Sequence, residues 1–145
     1  MEESDPSLYA LTNSGSIPIQ LGNLTQLQTL FLYDNSLTGS IPSTLGQMKN
    51  LRYLFLYSNE LDGNWKANNS NNIDSLILYS NELEGNIPTE LGNLTKLRQL
   101  YLSWNLLTTS IPPTFGRLEK TDIPSTKNIH HQVVVKVFHY IRQIL

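Results

Sequence analysis

The sequence predicts a repeat solenoid, mostly β and irregular in content, with an apolar core running along its length. Two observations carry this. Asn13, Asn35, Asn59, Asn81 and Asn105 recur at intervals of 22, 24, 22 and 24 residues. Each closes the same phrase: LQTLFLYDN (27–35), LRYLFLYSN (51–59), IDSLILYSN (73–81) and LRQLYLSWN (97–105), with a degraded first copy, DPSLYALTN (5–13). Self-similarity at such a period means stacked units, each burying its apolar edge against its neighbours.

The unit is legible from residues 27–50, LQTLFLYDNSLTGSIPSTLGQMKN. Its apolar spacing fits neither a helix nor a long strand. It fits a short strand, a turn, an irregular segment and a second turn, coiled with the leucines inward. In the strand, Leu30 and Leu32 face the core and Thr29, Phe31 and Tyr33 face out, because alternate residues share a face. The asparagine stands where the chain leaves the strand. Its amide can satisfy turn backbone groups from inside the coil, and the copies stack into a ladder. Leu37, Leu61, Leu83 and Leu107 then re-enter the core. Gly39, Gly63 and Gly85 permit a bend that would strain other residues. Ile-Pro follows at 17–18, 41–42, 87–88 and 111–112, where proline stiffens an extended stretch.

These motifs resemble the plant-type leucine-rich repeat, LxxLxLxxNxLxGxIPxxLGxLxx, over about residues 5–120. The resemblance is to receptor-like kinase ectodomains and polygalacturonase-inhibiting proteins. It implies an α/β-type repeat solenoid: a right-handed coil with about five short parallel strands on its concave side and a shorter strand near each Ile-Pro. Residues 1–4 read as an N-terminal tail and 121–145 as a non-repeat cap or tail. VVVKVFHYIRQIL (133–145) is open to a helix or a strand reading. The third copy has Trp65-Lys66 in place of Ile-Pro, followed by polar residues. Trp65 is expected in the core, with 66–72 as an exposed loop.

Composition narrows the function. The 145 residues include no cysteine, which excludes disulfides and thiolate chemistry. The net charge is −2 and the repeats hold no basic stripe, which argues against nucleic acid. Residues 1–116 carry five basic and ten acidic side chains; 117–145 carry five basic and two acidic ones. MEESDPS is not an apolar leader, and no run of about 18 apolar residues occurs. As written, the chain reads as cytoplasmic and without membrane insertion. As a piece of a receptor ectodomain it would be extracellular. Oligomeric state is not readable.

No catalytic residue, metal site or cofactor is expected. Glu60 and Glu82 stack as carboxylates at an open edge, with no pocket to tune them. His130, His131 and His139 lack ligand spacing. The candidate site is instead aromatic. Tyr9, Phe31, Phe55, Ile77 and Tyr101 form one outward column; Leu11, Tyr33, Tyr57, Tyr79 and Ser103 form the next, flanked by Tyr53 and Trp104. Phe31, Tyr33, Tyr53, Phe55, Tyr57, Tyr79, Tyr101 and Trp104 are the expected ligand-binding residues, since exposed apolar area and tyrosines mark interaction sites. Self-stacking that merely stiffens the sheet is the competing reading. Gln28, Arg52, Asp74 and Arg98 are expected as a solvated rim. Asn23, Asn68 and Asn93 open glycosylation sequons relevant only to a secreted chain.

The reading is therefore a non-enzymatic module that binds a protein or peptide. Two alternatives are a fragment of a larger leucine-rich-repeat receptor whose signalling lies in other domains, and a face for a glycan or cell-wall polymer.

Overall fold

The computed structural model describes residues 6–9, 14–63, 72–108 and 111–118. The expectations for Leu11, Asn13, Trp65, Asn68, most of the 66–72 loop, the 1–4 tail and the 121–145 segment lie outside the described residues. Strands β1 (Ser7–Tyr9), β3 (Thr29–Phe31), β5 (Tyr53–Phe55), β7 (Ser75–Ile77) and β9 (Gln99–Tyr101) form one parallel sheet in that order, the concave face of the coil. Short strands follow each turn: β2 (Ser14–Ser16), β4 (Ser36–Gly39) and β6 (Glu60–Leu61) pair in one ladder, and β8 (Glu84–Gly85) with β10 (Leu106–Leu107) in another.

The register sets leucine on leucine, Leu8 beside Leu30, Leu54, Leu76 and Leu100, although the copies differ in length. A slip of one residue would turn this row to solvent, so burial fixes the pairing. Leu30, Leu54, Leu76 and Leu100 are buried, as are Leu32, Leu56, Leu78 and Leu102. Leu37, Leu61 and Leu83 close the core from the second turn, and Leu107 packs against it.

The convex side carries 3-10 helices, Ile19–Asn23, Ser43–Gln47, Thr89–Asn93 and Pro113–Arg117. Pro18, Pro42, Pro88 and Pro112 stand at their N-caps with φ of −63°, −63°, −59° and −60°. Proline's ring holds φ near that value, and its carbonyl accepts the first helical bond, as from Leu45 N–H to Pro42 at 3.1 Å. Neighbouring helices approach so closely that a Cβ on Gly22 or Gly92 would lie 2.4 Å from the carbonyl oxygen of Thr44 or Thr114. Ile17, Ile41 and Ile87 are buried, whereas Ile111 is 47% exposed. The Ile-Pro isoleucine is therefore core in three of its four copies.

Candidate functional site

The frame of the site is polar and internal. Asn59 Nδ2 donates to the carbonyls of Leu32 (2.9 Å) and Leu56 (3.0 Å), and its Oδ1 accepts the Leu37 N–H at 3.0 Å. Asn81 does the same one repeat on, to Leu56, Leu78 and the Leu61 N–H. Asn105 repeats it with Leu78, Leu102 and the Leu83 N–H. Asn35 donates to Leu32 and Tyr33. Each of these later amides thus ties its own turn to the backbone of the preceding repeat. The residue before each asparagine is left-handed: Asp34, Ser58, Ser80 and Trp104 have φ between 52° and 54°. Left-handed backbone costs a non-glycine residue ~1–2 kcal/mol. The asparagine bonds offset that cost, and sequence patterning missed the feature because the position holds three residue types, Asp, Ser and Trp, none of them glycine.

Over this frame the aromatics stack. Phe31 lies between Tyr9 (centroids 4.3 Å apart, 18° between planes) and Phe55 (5.1 Å, 8°). Tyr57 lies between Tyr33 (4.6 Å, 4°) and Tyr79 (4.7 Å, 11°). Those separations match the spacing of neighbouring strands, about 4.8 Å, which sets the rings face to face. Where the second column loses its tyrosine at Ser103, Trp104 takes over and meets Tyr79 edge-on at 6.3 Å. Both faces of Phe31 and Tyr57 are therefore occupied by other rings, and what faces outward is ring edges and, for Tyr57, the hydroxyl. Burial first, then Tyr79, Asp34 and Tyr33, raises the Tyr57 phenol above its ordinary value of 10.0. Tyr9, Tyr53 and Trp104 are exposed; Phe31, Tyr33, Phe55, Tyr57, Tyr79 and Tyr101 are half-buried.

Three outward positions are not exposed. Ser75 is 2% exposed, Ile77 7% and Ser103 7%, because small side chains sit among taller neighbours. Ser75 Oγ is 3.0 Å from Gln99 Oε1. The charged rim needs a correction. Asp74 is buried and accepts from Arg52 Nε at 2.7 Å, with Arg52 Nη2 at 2.5 Å. The Arg52 guanidinium also lies 5.5 Å from the Tyr53 ring centroid. The reason is register: residues before adjacent parallel strands are neighbours, so opposite charges there pair instead of facing water. Glu60, Glu82 and Glu84 are exposed at the edge. Asn23 is exposed and Asn93 half-buried, each at the end of a convex helix, away from the sheet.

The family model of leucine-rich repeats in two copies matches residues 25–65, and the single leucine-rich-repeat model matches 72–94 and 96–118. The chain is a leucine-rich-repeat protein. Its solved relatives make the repeat the plant-type one. The ectodomain of the membrane receptor kinase GASSHO1/SCHENGEN3 of Arabidopsis thaliana, solved with CASPARIAN STRIP INTEGRITY FACTOR 2, is 42% identical, with a TM-score of 0.70 over 74% of this chain and 13% of its own. The Arabidopsis receptor kinase HAESA, solved with the peptide hormone IDA and the co-receptor SERK1, is 36% identical, with a TM-score of 0.69 over 72% of this chain and 18% of its own. In the Arabidopsis BIR3–SERK2 complex the matched chain is 36% identical, with a TM-score of 0.64 over 73% of this chain and 58% of its own. The repeat protein described here thus spans less than two thirds of each of these relatives. No curated protein matches it significantly. Among the described residues no helix is long and apolar enough to cross a membrane.

Proposed function

We propose that this leucine-rich-repeat protein is a non-enzymatic module that binds a protein or peptide on its concave aromatic face. The observation carrying this is the pair of stacked columns, Phe31–Phe55 and Tyr33–Tyr57–Tyr79, held open on the sheet. Rigid rings present contact area with little left to order on binding. The receptor kinases it resembles include ones solved with peptide hormones, which supports the same reading. The test is a displayed random-peptide library selected on the intact chain. Selected peptides should bind Tyr57→Ala at least ~30-fold more weakly, the hot-spot threshold of ~2 kcal/mol, and Glu84→Ala unchanged. Equal binding to Tyr57→Ala would overturn the reading and leave the columns as stiffeners.

A second reading is that the chain is one segment of a larger receptor of this family and acts outside the cell. It rests on the 13% and 18% of the GASSHO1/SCHENGEN3 and HAESA chains that the match covers. A longer transcript at the locus, carrying a leader and further repeats, is its test.

A further inference from the structure

Apart from Glu90 and Arg117 on the convex helices, the charged residues of the described stretches sort by flank. Lys49, Arg52, Lys96 and Arg98 all lie where the chain enters the sheet, just before β5 and β9, and all are exposed. The one carboxylate on that flank, Asp74, is taken up by Arg52. Lys96 Nζ donates to the neutral Asn72 Oδ1 at 2.8 Å, so it keeps its charge uncompensated there. On the opposite flank, where the chain leaves the sheet, stand Asp34, Glu60 and Glu82, all exposed; Asp62 and Glu84 lie further on, past the buried Leu61 and Leu83. Residues 32–41, 56–63, 78–87 and 102–108 contain no lysine or arginine. The aromatic floor lies between the two flanks.

The separation decides what such an arrangement can do. The six steps from Gln28 to Asp34, with β3 at their centre, span at most roughly 20 Å at about 3.3 Å each. The Debye length at physiological salt is about 8 Å. The two flanks therefore do not cancel, and each acts on whatever lies over its own side. The pattern extends along the sheet, from Lys49 to Lys96 and Arg98 on the basic flank and through Asp34, Glu60 and Glu82 on the acidic one.

We propose that the concave face selects an extended polypeptide segment of split charge: acidic where it meets Lys96 and Arg98, basic where it meets Asp34, Glu60 and Glu82, and apolar over the rings between. This rests on the binding function proposed above and names its ligand class. A segment of a single sign gains on one flank and is repelled on the other. A split segment gains on both, with about six residues between its charged ends, and lies crosswise, along the strands. Flank charges of this kind act mainly on the association rate and its salt dependence.

The experiment is the same library selection on the intact chain, read for charge. Selected sequences should carry acidic and basic residues on opposite sides of an apolar centre. Their association rate should fall about tenfold or more between 50 and 500 mM salt, as for electrostatically steered encounters. Arg98→Glu should slow association several-fold at 50 mM and not at 500 mM, with an unchanged melting curve. Binders of neutral or single-sign sequence that still lose affinity on Tyr57→Ala overturn the split-charge inference and leave the concave binding face standing. Binders indifferent to Tyr57→Ala overturn the binding face itself, and this inference with it.

Discussion

Asn59 and Tyr57 stand two residues apart, and each belongs to a column that repeats up the coil. The asparagine column is polar and bonded to backbone, buried at Asn59 and Asn81 and half-buried at Asn35 and Asn105; the tyrosine column is half-exposed, apolar and stacked on itself. Asn59 fills its place by four hydrogen bonds of 2.9 to 3.2 Å that only an amide of that length can make together. Tyr57 fills its place by ring area, and a phenylalanine would stack as well. The inner column is thus specified atom by atom, while the outer one is specified by shape. Changes to the inner column should register as stability, and changes to the outer one mainly as recognition.

The largest expected effect breaks the inner column. Asn59→Leu orphans the buried Leu37 N–H, at ~1–3 kcal/mol, and takes one of two amide donors from each of the Leu32 and Leu56 carbonyls, which keep Asn35 and Asn81, at ~0.5–1.5 kcal/mol per bond. The variant should lose about 3 kcal/mol or more in chemical denaturation, although leucine is more apolar. An unchanged midpoint would remove the ladder from the account of stability. Next comes the convex contact. Gly92→Ala would drive a Cβ to 2.4 Å from the Thr114 carbonyl oxygen, an overpacking worth ~1–3 kcal/mol. Gly116→Ala, with nothing within 4 Å, should be tolerated, and equal melting of the two variants would show that the helices are not in close contact.

The outer column is expected to cost less. Tyr57→Ala deletes stacks with Tyr33 and Tyr79, a loss of about 1–3 kcal/mol in stability at ~0.5–1.5 kcal/mol per aromatic pair. A double-mutant cycle with Tyr33→Ala measures the pair directly. Tyr57→Phe keeps the stacks and should be nearly neutral at pH 7. Its effect should emerge only in alkali. The folded chain holds the Tyr57 proton more tightly than the unfolded chain, since the phenol is raised above 10.0. The unfolded state therefore binds fewer protons above about pH 10, and stability falls as pH climbs through the folded value. Denaturation midpoints between pH 9 and 11.5 should decline less in Tyr57→Phe than in the parent chain. Glu84→Ala, exposed beyond the sheet, should stay within about ±0.5 kcal/mol, as surface substitutions do.

How much was legible follows the same division. The leucine and asparagine rows recur because a stacked coil puts each at the same interior point, so their spacing announces the solenoid and its parallel sheet. The outward columns were legible as columns, but not in their exposure. Ser75, Ile77 and Ser103 hold outward positions and are buried, because a residue's exposure depends on the height of its neighbours in the next repeats. Trp104 was placed beside the tyrosines, yet its service as their last ring depends on the left-handed turn that carries it. Arg52 and Asp74 were assigned to one column without the pairing that joins them.

The sequence by itself determined the period, the strand register and the leucine rows of the core, because periodicity states which residues are equivalent and equivalence in a stack means contact. Only the tertiary structure decided that ring faces are spent on one another, that Asp74 is neutralised, that the convex helices touch at Gly22 and Gly92, and that the two flanks carry opposite charge. These depend on distances across neighbouring coils and on which direction a side chain leaves the backbone. A linear spacing, repeated however often, holds neither quantity.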